Sequence, residues 1–178
     1  MALGQAEKIF GWMSGPELQF LADTATKSKK ILEIGSYRGK STRVMADHTA
    51  GIIYCVDPGD GKWQAYIKGV FYNGNSMDYS LFCANVGSFI KAERIKVFRT
   101  EFQQLELDEK FDFIFIDALH DYENCKADIL KCLPMMKEGG ILTGHDYCPG
   151  WPGVIQAVEE LLPNRELTDS IWHIRIPT

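Results

Sequence analysis

Long apolar runs and basic stretches are both missing from this sequence of 178 residues. No apolar stretch approaches membrane-spanning length, and the start carries no cationic segment followed by an apolar run. The 24 acidic residues outnumber the 19 Lys and Arg, which gives a net charge of −5. This charge disfavours broad binding to a phosphate backbone. We therefore expect neither a membrane nor a nucleic acid among the partners.

Cysteines with the Cys-x-x-Cys spacing of metal and redox sites are also absent. The five cysteines are odd in number and cannot all pair within one chain: Cys55, Cys83, Cys125, Cys132 and Cys148. This usage is typical of reduced thiols, so it predicts a cytoplasmic protein rather than a disulfide scaffold. With 46% hydrophobic and 24% charged residues, the composition predicts one globular domain over residues 1–178.

A short apolar strand that ends in a glycine loop is the most informative feature present. Ile31, Leu32 and Ile34 form the strand, Gly35 follows, and a helix is predicted from Gly39. Glycines let the backbone turn sharply and approach a ligand, and a helix start offers free N–H groups. Strand, loop and helix start together predict a nucleotide-binding element.

Three ligand classes compete for this loop, and a turn without a ligand is the structural alternative. A P-loop needs four residues before Gly-Lys-Ser/Thr, whereas only three separate Gly35 from residues 39–41. A dinucleotide fingerprint needs glycine where this chain has Tyr37. The third pattern, acidic-x-Gly-x-x-x-Gly, begins at Glu33. It resembles motif I of the class I S-adenosylmethionine-dependent methyltransferases.

A second apolar strand, residues 51–57, ends in Asp57. In a parallel sheet beside the first strand, its carboxylate would lie at the same edge as Gly35 and could bind both ribose hydroxyls. A turn aspartate ahead of Pro58 is the alternative. Because the glycine loop stands upstream, we favour ribose binding.

Two later strands end in acids and histidines. Asp117 ends residues 111–117 with His120 three residues on, while His145 and Asp146 end residues 141–146. If these strands are neighbours, about 4.8 Å apart, the two aspartates can converge. Close carboxylates repel unless a cation lies between them, so we expect Mg²⁺, or Mn²⁺ if His145 is also a ligand. His120 suits a general base, although each residue alone could be a cap or a structural residue.

The remaining pattern alternates strands and helices, which predicts an α/β three-layer sandwich. We expect an N-terminal helical segment over residues 1–28 with a capping box at Ser14, and a loop or short helix over residues 58–82 that covers the site. The other predicted elements are helices at 39–48, 76–89 and from Pro152 to Leu162, and strands at 95–99, 165–168 and 171–176. A further helix is predicted after Asp121; Pro134 is expected to kink or end it, and Gly139-Gly140 to stop it at the latest.

Three segments together resemble one family. They are Glu-Ile-Gly-Ser-Tyr-Arg-Gly-Lys-Ser-Thr from position 33, Phe-Ile-Phe-Ile-Asp-Ala-Leu-His-Asp-Tyr-Glu from 113, and Gly-Gly-Ile-Leu-Thr-Gly-His-Asp from 139. The chain resembles class I methyltransferases of the methyltransferase domain 24 family, which are similar to metal-dependent sugar O-methyltransferases. The resemblance implies a Rossmann-like fold with a seven-stranded, mostly parallel sheet of order 3-2-1-4-5-7-6.

The resemblance also implies roles for individual residues. S-adenosylmethionine would be bound by the residues of the glycine loop and the following strand ends: Glu33, Gly35, Ser36, Tyr37, Gly39, Ser41, Asp57, Thr100, Glu101 and Asp117. Asp57 would bind the ribose, and Thr100 and Glu101 would lie near the adenine. Asp117, Asp146 and His145 would hold the metal, with His120 as the base. The metal-dependent sugar O-methyltransferases of macrolide pathways have two adjacent acids where this chain has His145 and Asp146. Imidazole is a poorer Mg²⁺ ligand than carboxylate.

We therefore expect an O-methyltransferase that acts on a hydroxyl of a sugar, glycan or small metabolite, assisted by a divalent metal. A catechol-type phenol methyltransferase and a non-catalytic S-adenosylmethionine-binding domain are the alternatives. Tyr37 disfavours an NAD-dependent oxidoreductase. The sequence does not determine whether the protein is a monomer or a homodimer.

Overall fold

Apolar runs and amphipathic segments fold into a sheet with helices on both faces. The structure, a computed structural model, describes residues 3–59, 64–67, 70–73 and 76–178, with side chains for 3–59 and 79–178. The helices are α1 (Gly15–Thr26), α2 (Lys40–His48), α3 (Ser76–Lys91), α4 (Tyr122–Cys132) and α5 (Pro152–Leu161). The strands are β1 (Lys30–Ile34), β2 (Ile52–Val56), β3 (Gln64–Ile67), β4 (Val70–Asn73), β5 (Ile95–Phe98), β6 (Phe111–Ile116), β7 (Met136–Gly144), β8 (Glu166–Thr168) and β9 (Ile171–Arg175).

Seven strands form the main sheet in the order β5-β2-β1-β6-β7-β9-β8. The strands from β5 to β7 are parallel, while β9 runs antiparallel to both β7 and β8. Counted along the chain within this sheet, the order is 3-2-1-4-5-7-6. The predicted Rossmann-like fold and its strand order are therefore confirmed.

Two apolar layers lie on opposite faces of the sheet. One contains α1, α2 and α3, whose Leu21, Met45 and Val86 are fully buried. The other contains α4 and α5, whose Ile129 and Val158 are fully buried. The central strands β1, β2 and β6, covered on both faces, are mostly apolar, as is typical of parallel sheets, with Glu33 in β1 and Asp112 in β6 as the acidic exceptions. No helix among the described residues has the length and apolar character needed to cross a membrane.

Side-chain caps determine where α1 and α4 begin. The Ser14 hydroxyl accepts a hydrogen bond from the Glu17 N–H, and the Glu17 carboxylate accepts one from the Ser14 N–H at 2.7 Å, which confirms the capping box. Asp121 accepts from the Asn124 N–H at 3.1 Å and caps α4.

One local prediction was wrong. The segment after Pro58, predicted as a loop or short helix, contains the antiparallel hairpin of β3 and β4. Of the two expected stops after Asp121, the first is used: α4 ends at Cys132, and a short 3₁₀ turn follows (Leu133–Met135) because Pro134 has no N–H for a longer helix. The glycines lie inside β7, beside a register shift in its pairing with β6.

The turn after β1 requires glycine. Gly35 has φ of +85°, and a Cβ at this position would lie 2.0 Å from the carbonyl oxygen of Asp117. Glycine is the residue that tolerates both the left-handed conformation and such a close approach. The loop after β1 therefore touches the loop after β6.

We predict that Gly35→Ala destabilises the protein by about 2–5 kcal/mol, because the methyl group must push two loops apart. Gly87→Ala is the matched control, since no atom of the described residues lies within 4 Å of its Cβ position in α3. Alanine in a helix interior should raise stability by up to about 1 kcal/mol. Urea unfolding of both variants would test this, and equal stabilities would contradict the close packing at Gly35.

Candidate active site

A buried carboxylate holds the glycine loop to the start of α2. Glu33 is fully buried and accepts hydrogen bonds from the hydroxyls of Ser36 at 2.8 Å, Ser41 at 2.5 Å and Thr42. Burial raises the pKa of Glu33, and the hydroxyl donors oppose that rise. Glu33 and Ser41, both expected at the cofactor, thus lie beneath the loop and shape it.

Asp57 holds the same loop from the end of β2. Its Oδ2 accepts hydrogen bonds from the backbone N–H groups of Ser36 and Tyr37, each at 2.9 Å. Its Oδ1 accepts one from the Gly59 N–H at 2.8 Å. Tyr37 has φ of +44°, a left-handed conformation that glycine adopts at lower cost. The carboxylate predicted for a ribose therefore lies against the loop predicted for the cofactor.

A partly open pocket lies beside these residues. Its lining combines the glycine loop with β2, β5 and α3: Ser36, Tyr37, Cys55, Asp57, Gly59, Tyr79, Phe82 and Val97. Thr100 and Glu101 are not among these described lining residues; they follow β5, and Glu101 is exposed. The predicted cover over residues 58–82 contributes Gly59, Tyr79 and Phe82, but the side chains of 60–78 lie outside the described residues.

The second site lies where β6 and β7 end side by side. Ile116 pairs with Gly144, so the chain leaves both strands at the same level. His120 Nε2 lies 2.7 Å from Asp146 Oδ2 and 3.6 Å from Asp117 Oδ1. One donor atom from each of these three side chains falls within 4.8 Å of the others. We call Asp117, His120 and Asp146 the donor cluster.

The carboxylates of the donor cluster control the charge of His120. Burial lowers the pKa of His120, but the adjacent Asp117 and Asp146 outweigh it and raise the pKa to about 9. Burial also acts to raise the pKa of each aspartate, and the neighbouring histidines hold both pKa values below the usual range. Without another cation, His120 is therefore protonated at neutral pH.

The donor cluster fits a divalent cation. Its two carboxylates and one imidazole are ligands that suit Mn²⁺ or Mg²⁺, with imidazole favouring Mn²⁺. Nε2 of His120 is buried and lies 2.7 Å from Asp146 Oδ2, yet it makes no hydrogen bond of good geometry within the described part of the chain. The atom is thus ion-paired but not hydrogen-bonded, and a bound cation would complete its contacts.

His145 lies behind the donor cluster rather than within it. Its side chain is buried, and Nε2 lies 3.2 Å from both Glu17 Oε2 and Ser170 Oγ. Its Nδ1 faces Asp146 Oδ1 at 3.4 Å and Asp117 Oδ1 at 3.6 Å. Burial lowers the pKa of His145, but Asp117, Asp146 and Glu17 together raise it strongly. Of the expected metal ligands, Asp117 and Asp146 thus meet His120 in place of His145.

Two residues at the site escaped the sequence analysis. Trp151 stacks on the His120 ring with centroids 4.5 Å apart and planes 25° from parallel. Glu17 contacts His145 although it lies 128 positions earlier in the chain (145 − 17). The capping box was a sequence signal for Glu17, but it predicted only a helix start; the sequence carried no signal for Trp151.

A family profile matches the part of the sequence that forms most of both sites. The family is described as a methyltransferase domain, and its profile matches residues 32–147, which include the glycine loop and the donor cluster. No sequence among the curated proteins matches.

Solved structures share the fold at low identity. The O-methyltransferase from Bacillus cereus, solved with S-adenosylhomocysteine (SAH), is 20% identical, has a TM-score of 0.63 and covers 97% of this chain and 86% of its own. NodS, an N-methyltransferase from Bradyrhizobium japonicum, is 17% identical, with a TM-score of 0.63 and coverages of 90% and 94%. CalS11, a TDP-rhamnose 3'-O-methyltransferase of calicheamicin biosynthesis, is 17% identical, with a TM-score of 0.64 and coverages of 89% and 76%. These structures support the fold.

We predict that His120 makes stability fall as the pH rises. Because its pKa is raised from 6.5 to about 9, the imidazolium stabilises the fold below pH 6.5, and this contribution is lost as the pH rises through about 9. The loss should approach about 3 kcal/mol. Urea unfolding without divalent ions, from about pH 6 to 10, would measure it. His145, whose pKa is also raised, adds a slope of the same sign. His120→Asn should therefore make this part of the profile less steep, and parallel profiles for the two proteins would contradict the assignment.

Proposed function

Because the chain belongs to the methyltransferase domain 24 family of S-adenosylmethionine-dependent methyltransferases, we propose that it methylates a hydroxyl group with help from a divalent metal. The acceptor would be a sugar, a glycan or a small metabolite. The donor cluster carries this proposal, because it places two carboxylates and an imidazole next to the glycine loop. A hydroxyl needs both charge stabilisation and a proton acceptor before it can attack a methyl group.

The cofactor half of the proposal depends on the loop after β1. Ser36, Tyr37 and Asp57 line the pocket beside this loop, and we assign them to S-adenosylmethionine together with Gly35. When bound, S-adenosylmethionine supplies a methyl group on a positively charged sulfur. Glu33 supports the loop from beneath, through the hydroxyl of Ser36. Thr100 and Glu101 remain assigned to the adenine by resemblance.

The metal half of the proposal depends on Asp117 and Asp146. Their carboxylates would hold Mg²⁺ or Mn²⁺, which lowers the pKa of a bound hydroxyl and offsets the charges that keep His120 protonated. His120, once neutral, would accept the hydroxyl proton, which would leave the acceptor oxygen able to attack the methyl group that bound S-adenosylmethionine supplies. Trp151 keeps the His120 ring in one plane by stacking. Holding both reactants in place contributes several kcal/mol, about 7–11 in the best intramolecular models.

A second role for His120 has an observation in its favour. Its buried Nε2 lacks a hydrogen bond within the described chain and belongs to the donor cluster, as expected of a third metal ligand. One nitrogen cannot bind a metal and accept a proton at the same time. Divalent-ion affinity therefore separates the two roles.

We also propose a cellular location and the kinds of partner that the protein binds. All five cysteines are free thiols, which fits a reducing, cytoplasmic location. We expect a small-molecule or glycan acceptor and no nucleic-acid or membrane partner, with a homodimer as one assembly open to the chain.

We predict that His120→Ala lowers methyl transfer by roughly 100- to 10,000-fold, because a positioned base is lost. Transfer from labelled S-adenosylmethionine would be followed on a panel of sugars, glycosides and vicinal diphenols. SAH affinity should stay within about twofold by calorimetry. Unchanged Mn²⁺ affinity would support the base role, whereas a loss would support the ligand role. His48→Ala is the control, since the His48 ring hydrogen-bonds the backbone carbonyl of Val44 in α2 and lies outside the donor cluster. Full turnover by His120→Ala would remove both roles.

We predict that Asp146→Asn weakens Mn²⁺ binding by at least about tenfold, because an amide oxygen carries no charge for the cation. Excess chelator should abolish wild-type transfer. Turnover that persists in chelator, with Asp146→Asn equally active, would contradict the metal assignment while leaving the methyltransferase assignment intact.

A further inference from the structure

Glu17 is a buried carboxylate whose contacts exceed the needs of a helix cap. It lies in the first turn of α1 and is only 2% exposed. A capping box uses one carboxylate oxygen to accept from the N-cap N–H. In Glu17 the second oxygen is occupied as well, by a residue 153 positions away.

Four donors converge on the two oxygens of Glu17. Oε2 accepts from the Ser14 N–H at 2.7 Å and lies 3.2 Å from His145 Nε2. Oε1 accepts from the N–H and the hydroxyl of Ser170, at 3.0 Å and 2.5 Å. Only a carboxylate can accept on both sides, because an amide of the same shape would turn its NH₂ toward one pair of donors.

His145 connects Glu17 to the donor cluster. Its Nε2 faces Glu17 and its Nδ1 faces both aspartates, so the ring lies between them. The loop that carries Asp146 is also tied to Ser170, whose carbonyl accepts from the Tyr147 N–H at 2.9 Å. Asp146 itself has φ of +61°, a conformation that its surroundings must maintain.

We propose that Glu17 is a positioning residue for the metal site: it acts through His145 to hold Asp117 and Asp146 in a cation-binding arrangement. This inference depends on the proposed metal role of the donor cluster. Partners behind metal ligands fix the ligand orientation, and their loss costs metal affinity without any change in the ligands themselves. Helix α1 thereby takes part in a site formed at the ends of β6 and β7, which come much later in the sequence.

The test measures Mn²⁺ affinity by electron paramagnetic resonance, without acceptor. Glu17→Gln should weaken binding 10- to 100-fold. Glu17→Asp keeps the charge but shortens the reach by one methylene, so it should weaken binding comparably if position matters. Thr24→Ala is the matched control, because it removes a hydroxyl of the same helix that donates to the Phe20 carbonyl at 2.8 Å and takes no part in holding Glu17. It should lose stability, by about 1 kcal/mol, but keep wild-type Mn²⁺ affinity.

A double-mutant cycle of Glu17→Gln with His145→Gln tests the route through His145. The His145→Gln variant alone also tests this route if one Glu17 variant folds poorly. If Glu17 acts through His145, adding Glu17→Gln to His145→Gln should change Mn²⁺ affinity by less than about twofold. Additive losses would overturn this route, and wild-type affinity in both Glu17 variants would overturn the positioning role alone. A wild-type protein that binds SAH but no Mn²⁺ would overturn the proposed metal site and this inference together.

Discussion

The register of the parallel strands places the candidate site residues Asp57, Asp117, His120 and Asp146 at one edge of the sheet. Ile34 at the end of β1 is paired with Val56 on one side and Ile116 on the other, and Ile116 is paired with Gly144. Four strands therefore end at the same level, and the chain turns away from each at the same height. With about 4.8 Å between neighbours, these ends span roughly 14 Å. A one-residue slip of any strand would move its functional side chain away from this edge.

Charge balance is the second constraint on the site. Three carboxylates, Glu17, Asp117 and Asp146, surround the imidazoles of His120 and His145. Neighbouring carboxylates raise the pKa of both histidines, so two protonated imidazoles offset two of the three negative charges in the metal-free protein. Cation binding at the donor cluster would compete with the proton on His120. The same carboxylates thus connect folding stability, metal affinity and the availability of a base.

Sequence reasoning was strongest where local chemistry determines local structure. Apolar runs located the strands of the main sheet, and Gly35 marked a turn that only glycine fits; the strand order came from the family resemblance. The relative roles of His120 and His145 were not predictable, because both follow strand ends and both rings face the aspartates. Only packing shows that Glu17 contacts His145 from the other side. The contact between Glu17 and His145 could not be predicted from the sequence, because the capping box was a sufficient reason for a glutamate at position 17. Pro134 marked the end of α4 more accurately than the glycines did.

Anomalous diffraction from crystals grown with Mn²⁺ and SAH tests the central claim most directly, because it locates metal and cofactor together. We expect one manganese peak bonded to Asp117 and Asp146, with SAH against residues 35–37 and its ribose at Asp57. The distance from the peak to His120 Nε2 would also distinguish a ligand from a base. SAH bound in this position, with no manganese at the donor cluster, would contradict the metal-assisted account. SAH bound away from the glycine loop would contradict the cofactor assignment itself.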